Sequence, residues 1–228
     1  MNGVMYILST GCQWRSLPKD VPPRSTVHNY FIWWHCDGVL DCIHHALYIE
    51  CREKAEREAS PSACIIDSQS VKSAEKGVRI DPHGFDAGKL IKGKKRHILV
   101  DTLGLLLHAI VHSAAIQDRD GGLALLATLF GQFPFLKKLF ADSAYQGPIF
   151  GNGLAKILPC LETEIVKRSD QAKGFVQLPK RWIVERTIAW LNRCRRLAKD
   201  WENLNRNALA FLKLASIRLM LRKICNPC

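Results

Sequence analysis

The chain lacks any apolar run near the roughly 18 residues that a membrane-spanning helix requires, which argues against an integral helical membrane protein. Its first ten residues carry no positive n-region and no clear cleavage site, so no secretory signal is expected there. It has no Gly-x-x-x-x-Gly-Lys-Ser/Thr loop, no Gly-x-Ser-x-Gly elbow and no His-Glu-x-x-His pair. Those absences remove P-loop phosphate binding, serine-hydrolase chemistry and zincin proteolysis. No internal repeat and no low-complexity tract occurs. Acidic residues are scarce against basic ones, 21 to 33, leaving a net charge of +12. An excess this large calls for a polyanionic partner, and nucleic acid fits better than a membrane surface.

Nine cysteines are present, an odd number scattered without a framework, and they read as reduced thiols. Cys36, Cys42, His44 and His45 have zinc-ligand chemistry, but the adjacent histidines would diverge on a helix. Cys225 and Cys228 form a lone Cys-x-x-Cys pair. Neither set offers four convergent ligands, so no structural zinc is expected. With 228 residues and 47% apolar content, the chain can bury one sizeable core with a small helical appendage.

Residues 25–58 predict two helices about a turn at Asp37-Gly38, an arrangement resembling a helix-turn-helix, though most such pairs serve only packing. Ser60-Pro61-Ser62 sets a boundary between a helical lobe at 1–59 and a second domain at 60–228. From residue 63 the pattern alternates: a strand ending at Asp67, a basic loop over 68–95, a hairpin turning at 101–104 and a helix near 122–130. A strand ending at Asp142, a helix within 148–157, a short strand near 164–166, a long helix over 180–200 and a last one over 204–224 complete it. This order predicts an α/β fold with a mixed sheet flanked by helices.

Two apolar runs, Ala63 to Asp67 and Leu139 to Asp142, each close on an aspartate, and Glu185 stands on the polar face of a basic helix. Carboxyl ends of strands are where ligand sites gather in α/β sheets. Three carboxylates there form an oxygen cage suited to Mg²⁺, and two such ions can clamp a phosphate. Each residue has a plainer reading: turn chemistry for the aspartates, and an Arg181–Glu185 pair on a solvated face for the helix. Asp118 and Asp120 read as helix-capping charges. Lys89, Lys92, Lys94, Lys95 and Arg96 read as a phosphate-contact loop, with Arg181, Arg186, Arg193 and Arg196 as further phosphate contacts.

The chain resembles bacterial insertion-sequence transposases of the DDE type, in the group named after insertion sequence five. The matching blocks are Thr10-Gly11-Cys12-Gln13-Trp14-Arg15, Ile66-Asp67-Ser68-Gln69-Ser70-Val71-Lys72 and Gly84-Phe85-Asp86-Ala87-Gly88-Lys89. They continue through Lys95-Arg96-His97 to Asp101-Thr102-Leu103-Gly104, Ala141-Asp142-Ser143-Ala144-Tyr145, and Val184-Glu185-Arg186-Thr187 with Trp190-Leu191-Asn192-Arg193. The resemblance implies a ribonuclease H-like domain, with Asp67, Asp142 and Glu185 binding two Mg²⁺ ions, for which Mn²⁺ can substitute. It further implies cleavage at terminal inverted repeats, joining of the 3′-hydroxyl to target DNA, a homodimer or larger assembly on double-stranded DNA, and a cytoplasmic, nucleoid-associated location.

Two departures qualify what the resemblance implies. The family motif Tyr-x-x-Arg-x-x-x-Glu-x-x-x-x-x-x-Lys is met at Arg181 and Glu185, but Leu178 and Asn192 stand at its ends, with Arg193 or Arg196 as substitute cations. Relatives also carry further helical sequence ahead of the Thr10 block, which suggests a truncated copy or one piece of a split reading frame. The alternatives are an inactive remnant that only binds DNA ends, and a Mg²⁺ nuclease that never joins strands.

Overall fold

The computed structural model describes residues 1–74, 80–129, 131–166 and 180–225. Its centre is a six-stranded mixed sheet of β1 (Ala63–Lys72), β2 (Gly84–Asp86), β3 (Ile91–Asp101), β4 (Leu106–Ser113), β5 (Lys138–Ala141) and β6 (Glu162–Ile165). One edge of β3 pairs antiparallel with β1; its other edge takes β2 at Ile91 to Gly93 and β4 at Lys94 to Val100. Beyond β1, β5 and β6 follow in parallel. With short β2 added at the end of β3, three antiparallel strands continued by two parallel ones, with helices on the faces, is the ribonuclease H-like arrangement expected.

Helices α4 (Asp118–Ala127) and α5 (Pro148–Ile157) pack together, with α4 against β3 and β4. Helix α6 (Arg181–Leu191) lies on β1 and β3, and α7 (Asn205–Cys225) on β4. The last helix is no simple amphipath: Ala210, Phe211, Leu212, Leu214, Ala215, Ser216 and Ile217 are all buried. Such a near-continuous buried stretch belongs to a helix covered on most sides. Its second cover is α1 (Asn2–Thr10), α2 (Arg24–Cys36) and above all α3 (Val39–Lys54). Buried residues of α1–α3 and of the sheet accordingly form one continuous apolar cluster.

Gly38 closes α2 into α3 at φ 72°, a conformation glycine adopts without strain. The outward side of α3 bears Asp41, Glu50, Glu53 and, at its end, Lys54, while Arg52 is buried. A helix reading DNA would present cations there, and the exposed charge of α3 is mostly acidic.

Asp101 joins the two halves. Its Oδ1 accepts the Leu103 and Leu105 amides, each at 2.9 Å, which sets the β3–β4 turn. Its Oδ2 accepts from Arg52 at 2.5 Å and from the Tyr48 hydroxyl at 3.1 Å, both on α3. His44, also on α3, meets the Ser216 hydroxyl of α7 at 3.0 Å. Burial first, then the Lys213 charge, lowers the His44 pKa to about 4, while Asp41 opposes them. Below pH 6.5 the unfolded chain therefore binds a proton that the folded chain refuses, and stability falls with pH down to about 4. Between pH 7 and pH 5 this should cost about 1–2 kcal/mol. Urea midpoints at the two pH values test it: His44→Gln should reduce the difference by about that amount, the remainder coming from other buried histidines such as His97, lowered to about 3 by burial.

Three sequence expectations are revised. Residues 68–95 are no open basic loop: β1 runs on to Lys72, β3 starts at Ile91, and β2 lies between. Gly93 permits this, because a Cβ there would stand 2.0 Å from the Val71 carbonyl oxygen of β1. The helix expected over 180–200 stops at Leu191, capped by Asn192, and a short 3-10 turn spans Arg195–Leu197. Asp200 is drawn instead to the sheet edge, where its amide donates to the Lys72 carbonyl at 2.9 Å and its carboxylate meets Lys94 at 3.3 Å. Ahead of the two expected helices the N-terminal segment forms a further one, α1, closed by Gly11 at φ 69°.

Candidate active site

β1 and β5 run parallel in the register Ala63 with Lys138, Cys64 with Leu139 and Ile65 with Phe140. Continuing that register by two residues sets Asp67 beside Asp142. Asp67 lies within β1 rather than at its end, for the strand continues along β3 after β5 has stopped. Asp142 follows β5 and caps the next turn, its Oδ1 accepting the Ala144 amide at 2.8 Å. Turn chemistry and site membership, weighed as rivals from sequence, thus coexist in one side chain.

Helix α6 brings in the third carboxylate. Arg181 Nη2 stands 3.3 Å from Asp142 Oδ2, and its Nε stands 3.2 Å from Glu185 Oε1. The intrahelical Arg181–Glu185 pair read from spacing is therefore present, and the same guanidinium also reaches across to β5. Asp67 feels Arg181 as well. Its pKa is raised to about 6, mainly by burial and further by the Asp142 charge, against the Ser68 amide, Arg181 and Lys89. Lys89 fixes that neighbourhood by donating to the Ser68 carbonyl and hydroxyl at 3.1 and 3.2 Å.

Behind the carboxylates lie groups that sequence reasoning missed. The Tyr145 hydroxyl is buried beside the Ser68 side chain. Burial, then Asp67, Asp118 and Asp142, push its pKa well up, so it stays a neutral phenol among acids. Asp118 opens α4 as expected, but its carboxylate turns to Lys95 at 2.7 Å. Lys95 also contacts Asp86 at 3.3 Å. The only sequence signal for this cluster was the family resemblance of the blocks at 84–89 and 141–145.

The basic residues divide into two classes. Lys94, Lys95 and Arg96 are almost fully buried on β3. Lys94 pairs with Asp200, Lys95 with Asp86 and Asp118, and Arg96 donates to the Leu197 carbonyl at 2.8 Å. Arg196 is likewise buried, 2.6 Å from Glu202. These four hold the fold together and are not exposed for phosphate contact, which corrects their sequence reading. Arg196 cannot replace the missing motif cation either, whereas Arg193 is exposed. Lys89 and Lys92 are exposed, Lys89 near Asp67, and Arg186 lies between the Trp182 and Trp190 rings, 4.5 and 4.7 Å from their centroids. Leu178 lies outside the described residues.

The donor chemistry of Asp67, Asp142 and Glu185 suits a hard divalent cation, being all carboxylate oxygen without sulfur or imidazole. Among the described residues, no three such side chains stand grouped closely enough to hold an ion as they are. Arg181 lies instead between two of them, compensating their charge.

Comparison with known families finds two matches. The family described as “Transposase DDE domain” matches residues 58–220. A second, described as “Putative transposase of IS4/5 family”, matches residues 1–44. No curated protein matches the chain. Among the described residues, no helix is long and apolar enough to cross a membrane. The first match covers well over half of the chain, and the protein belongs to the DDE transposase family.

Proposed function

We propose that the chain cuts DNA at terminal inverted repeats and joins the freed 3′-hydroxyl to target DNA, with Asp67, Asp142 and Glu185 as its catalytic carboxylates. The observation that carries this reading is the guanidinium of Arg181 bridging Asp142 and Glu185, with Asp67 beside Asp142 in the register of β1 and β5. Mutual repulsion between Asp67 and Asp142 gives the pair a demand for positive charge. Two Mg²⁺ ions, or Mn²⁺ in their place, would be held by the three carboxylates and would supply nucleophile activation and charge neutralisation at the phosphate.

This chain's own groups do the rest. Arg181 is placed to release its carboxylates and turn to the non-bridging phosphate oxygens, a bidentate contact its planar fork favours. Lys89 and Lys92 flank the scissile strand on one side, Arg186 and Arg193 on the other. The neutral phenol of Tyr145 can donate a hydrogen bond toward Asp67 without adding charge. The helical segment 1–59 is proposed as an accessory lobe braced on α7, and the working species as a dimer or larger assembly on DNA.

The test is cleavage of a labelled duplex bearing the element's own terminal repeat, in Mg²⁺ and in Ca²⁺. Nicking at the repeat end in Mg²⁺ alone, followed by strand-transfer products, is expected. Nicking without joining would make the protein a nuclease, and a bound but uncut duplex in both metals would make it an end-occupying remnant. Binding should also weaken linearly in log[salt], and Lys89→Ala or Lys92→Ala should each flatten the slope by about 0.9. Lys95→Ala should instead lower the melting temperature, because it strips Asp86 and Asp118 of their buried partner.

A further inference from the structure

Helix α6 runs from the triad to a second recess, about 1050 Å³ in volume, bounded by α3, the β3–β4 turn and α7. Five cations line it, Lys54, Arg193, Arg218, Arg222 and Lys223, and among the described residues no carboxylate does. Their charges are little compensated. Arg218 donates to the Ser9 hydroxyl at 2.6 Å and Lys223 to the Leu103 carbonyl at 3.2 Å, both uncharged acceptors. Lys54 meets Glu50 only at 3.7 Å on open surface, and among the described residues Arg193 and Arg222 form no ion pair. Burial first, then the Arg186 charge, pushes the Lys223 pKa down, against Asp101 and Cys51.

The floor of the recess is different. Leu103, Leu105, Leu219 and Trp190 make it apolar. A duplex presents phosphates and sugars but keeps its base faces stacked inside, so it could use the cations and leave this floor idle. An unpaired strand offers both chemistries at once, phosphates for cations and flat base faces for an apolar surface. A path toward the triad exists too: Arg186 is stacked between Trp182 and Trp190, and Lys223 lies 6.0 Å from the Trp190 ring. At 1.5 Å per residue, Trp190 lies about 8 Å along α6 from Glu185, or about two stacked nucleotides at 3.4 Å each.

We propose that the recess between α3, the β3–β4 turn, α6 and α7 binds a short unpaired DNA segment continuous with the strand at the triad. Its phosphates lie on the cationic rim and its bases on the Trp190–Leu219 floor. The site rests on the DNA-processing reading but is tested without catalysis. Anisotropy of a labelled oligo-dT, its duplex with oligo-dA, and an abasic oligomer of equal length would be measured with the full chain in chelator. Oligo-dT should bind tighter than the abasic oligomer by at least about fivefold, the effect of one stacked base. The double variant Lys54→Glu/Arg222→Glu alters two exposed side chains. It should weaken oligo-dT binding at least about tenfold and duplex binding less than about twofold.

Equal loss for single strand and duplex would overturn the proposal, leaving a general basic surface. So would equal affinity for the abasic oligomer, or displacement of oligo-dT by polyphosphate as effectively as by unlabelled oligo-dT. A wild-type chain that binds no oligo-dT would overturn it as well. Metal-dependent nicking at the repeat judges the catalytic reading separately, since a chain without cleavage can still pass this binding test.

Discussion

Glu185→Gln is expected to abolish metal-dependent cleavage while leaving the folded chain and its DNA affinity intact. In the structure Glu185 is half exposed and its one ion pair is with Arg181, four residues earlier on α6. Such exposed pairs contribute only a few tenths of a kcal/mol, so the melting temperature should scarcely move. Loss of groups that merely orient metal ligands costs roughly 10–100-fold. Removing a ligand itself should exceed that, giving a drop of more than about 100-fold in the nicking rate. Binding of the repeat duplex in Ca²⁺ should stay within about twofold of the parent. Nicking at the parental rate by the glutamine variant would remove Glu185 from the site and return α6 to a solvated charged face. The paired measurement of rate and melting temperature is what separates a catalytic role from a structural one.

The largest stability effect should come from a pair remote from the chemistry. Asp101→Ala leaves the Arg52 guanidinium buried without its carboxylate and removes the acceptor for two turn amides. Breaking a buried pair from one side costs about 3–5 kcal/mol, a large share of the roughly 5–15 kcal/mol that holds a typical domain. A strongly lowered urea midpoint is expected, with α3 detaching from the β3–β4 turn as the first event seen by hydrogen exchange. Arg52→Met with Asp101→Asn should recover much of the loss, because it removes both charges and keeps the turn acceptor. If Asp101→Ala alone shifted stability by under about 1 kcal/mol, the pair would be a surface-like contact and the bracing of α3 would rest on α7 alone.

Several elements were legible in the sequence for plain reasons. The runs at 63–67 and 139–142 are apolar and buried, so their strand character shows directly in their composition. The Asp37-Gly38 and 101–104 turns carry the residues their geometry demands, and α2, α3, α5 and the β3–β4 hairpin appear at or near the expected places. What failed to show was β3 before His97. Its Lys94, Lys95 and Arg96 look like a solvated basic loop, yet each is buried because Asp200, Asp86, Asp118 and the Leu197 carbonyl wait for it in the folded chain. A cation's burial is decided by partners distant in sequence, which no local pattern contains. The end of α6 at Leu191 has the same origin, since Asp200 is pulled back to the sheet by Lys94 and the Lys72 carbonyl.

The sequence by itself determined most of the strand-and-helix order, the basic character that points to nucleic acid, and the identity of the three candidate carboxylates, because composition, periodicity and motif blocks are local properties. The tertiary structure alone decided that Asp142 and Glu185 share the guanidinium of Arg181, and that Asp67 stands within a strand beside Asp142. It alone decided too which cations face solvent and which are locked inside. Those outcomes depend on strand register and on contacts between residues far apart in the chain, and they exist only once the sheet has formed and α6 has packed on β1.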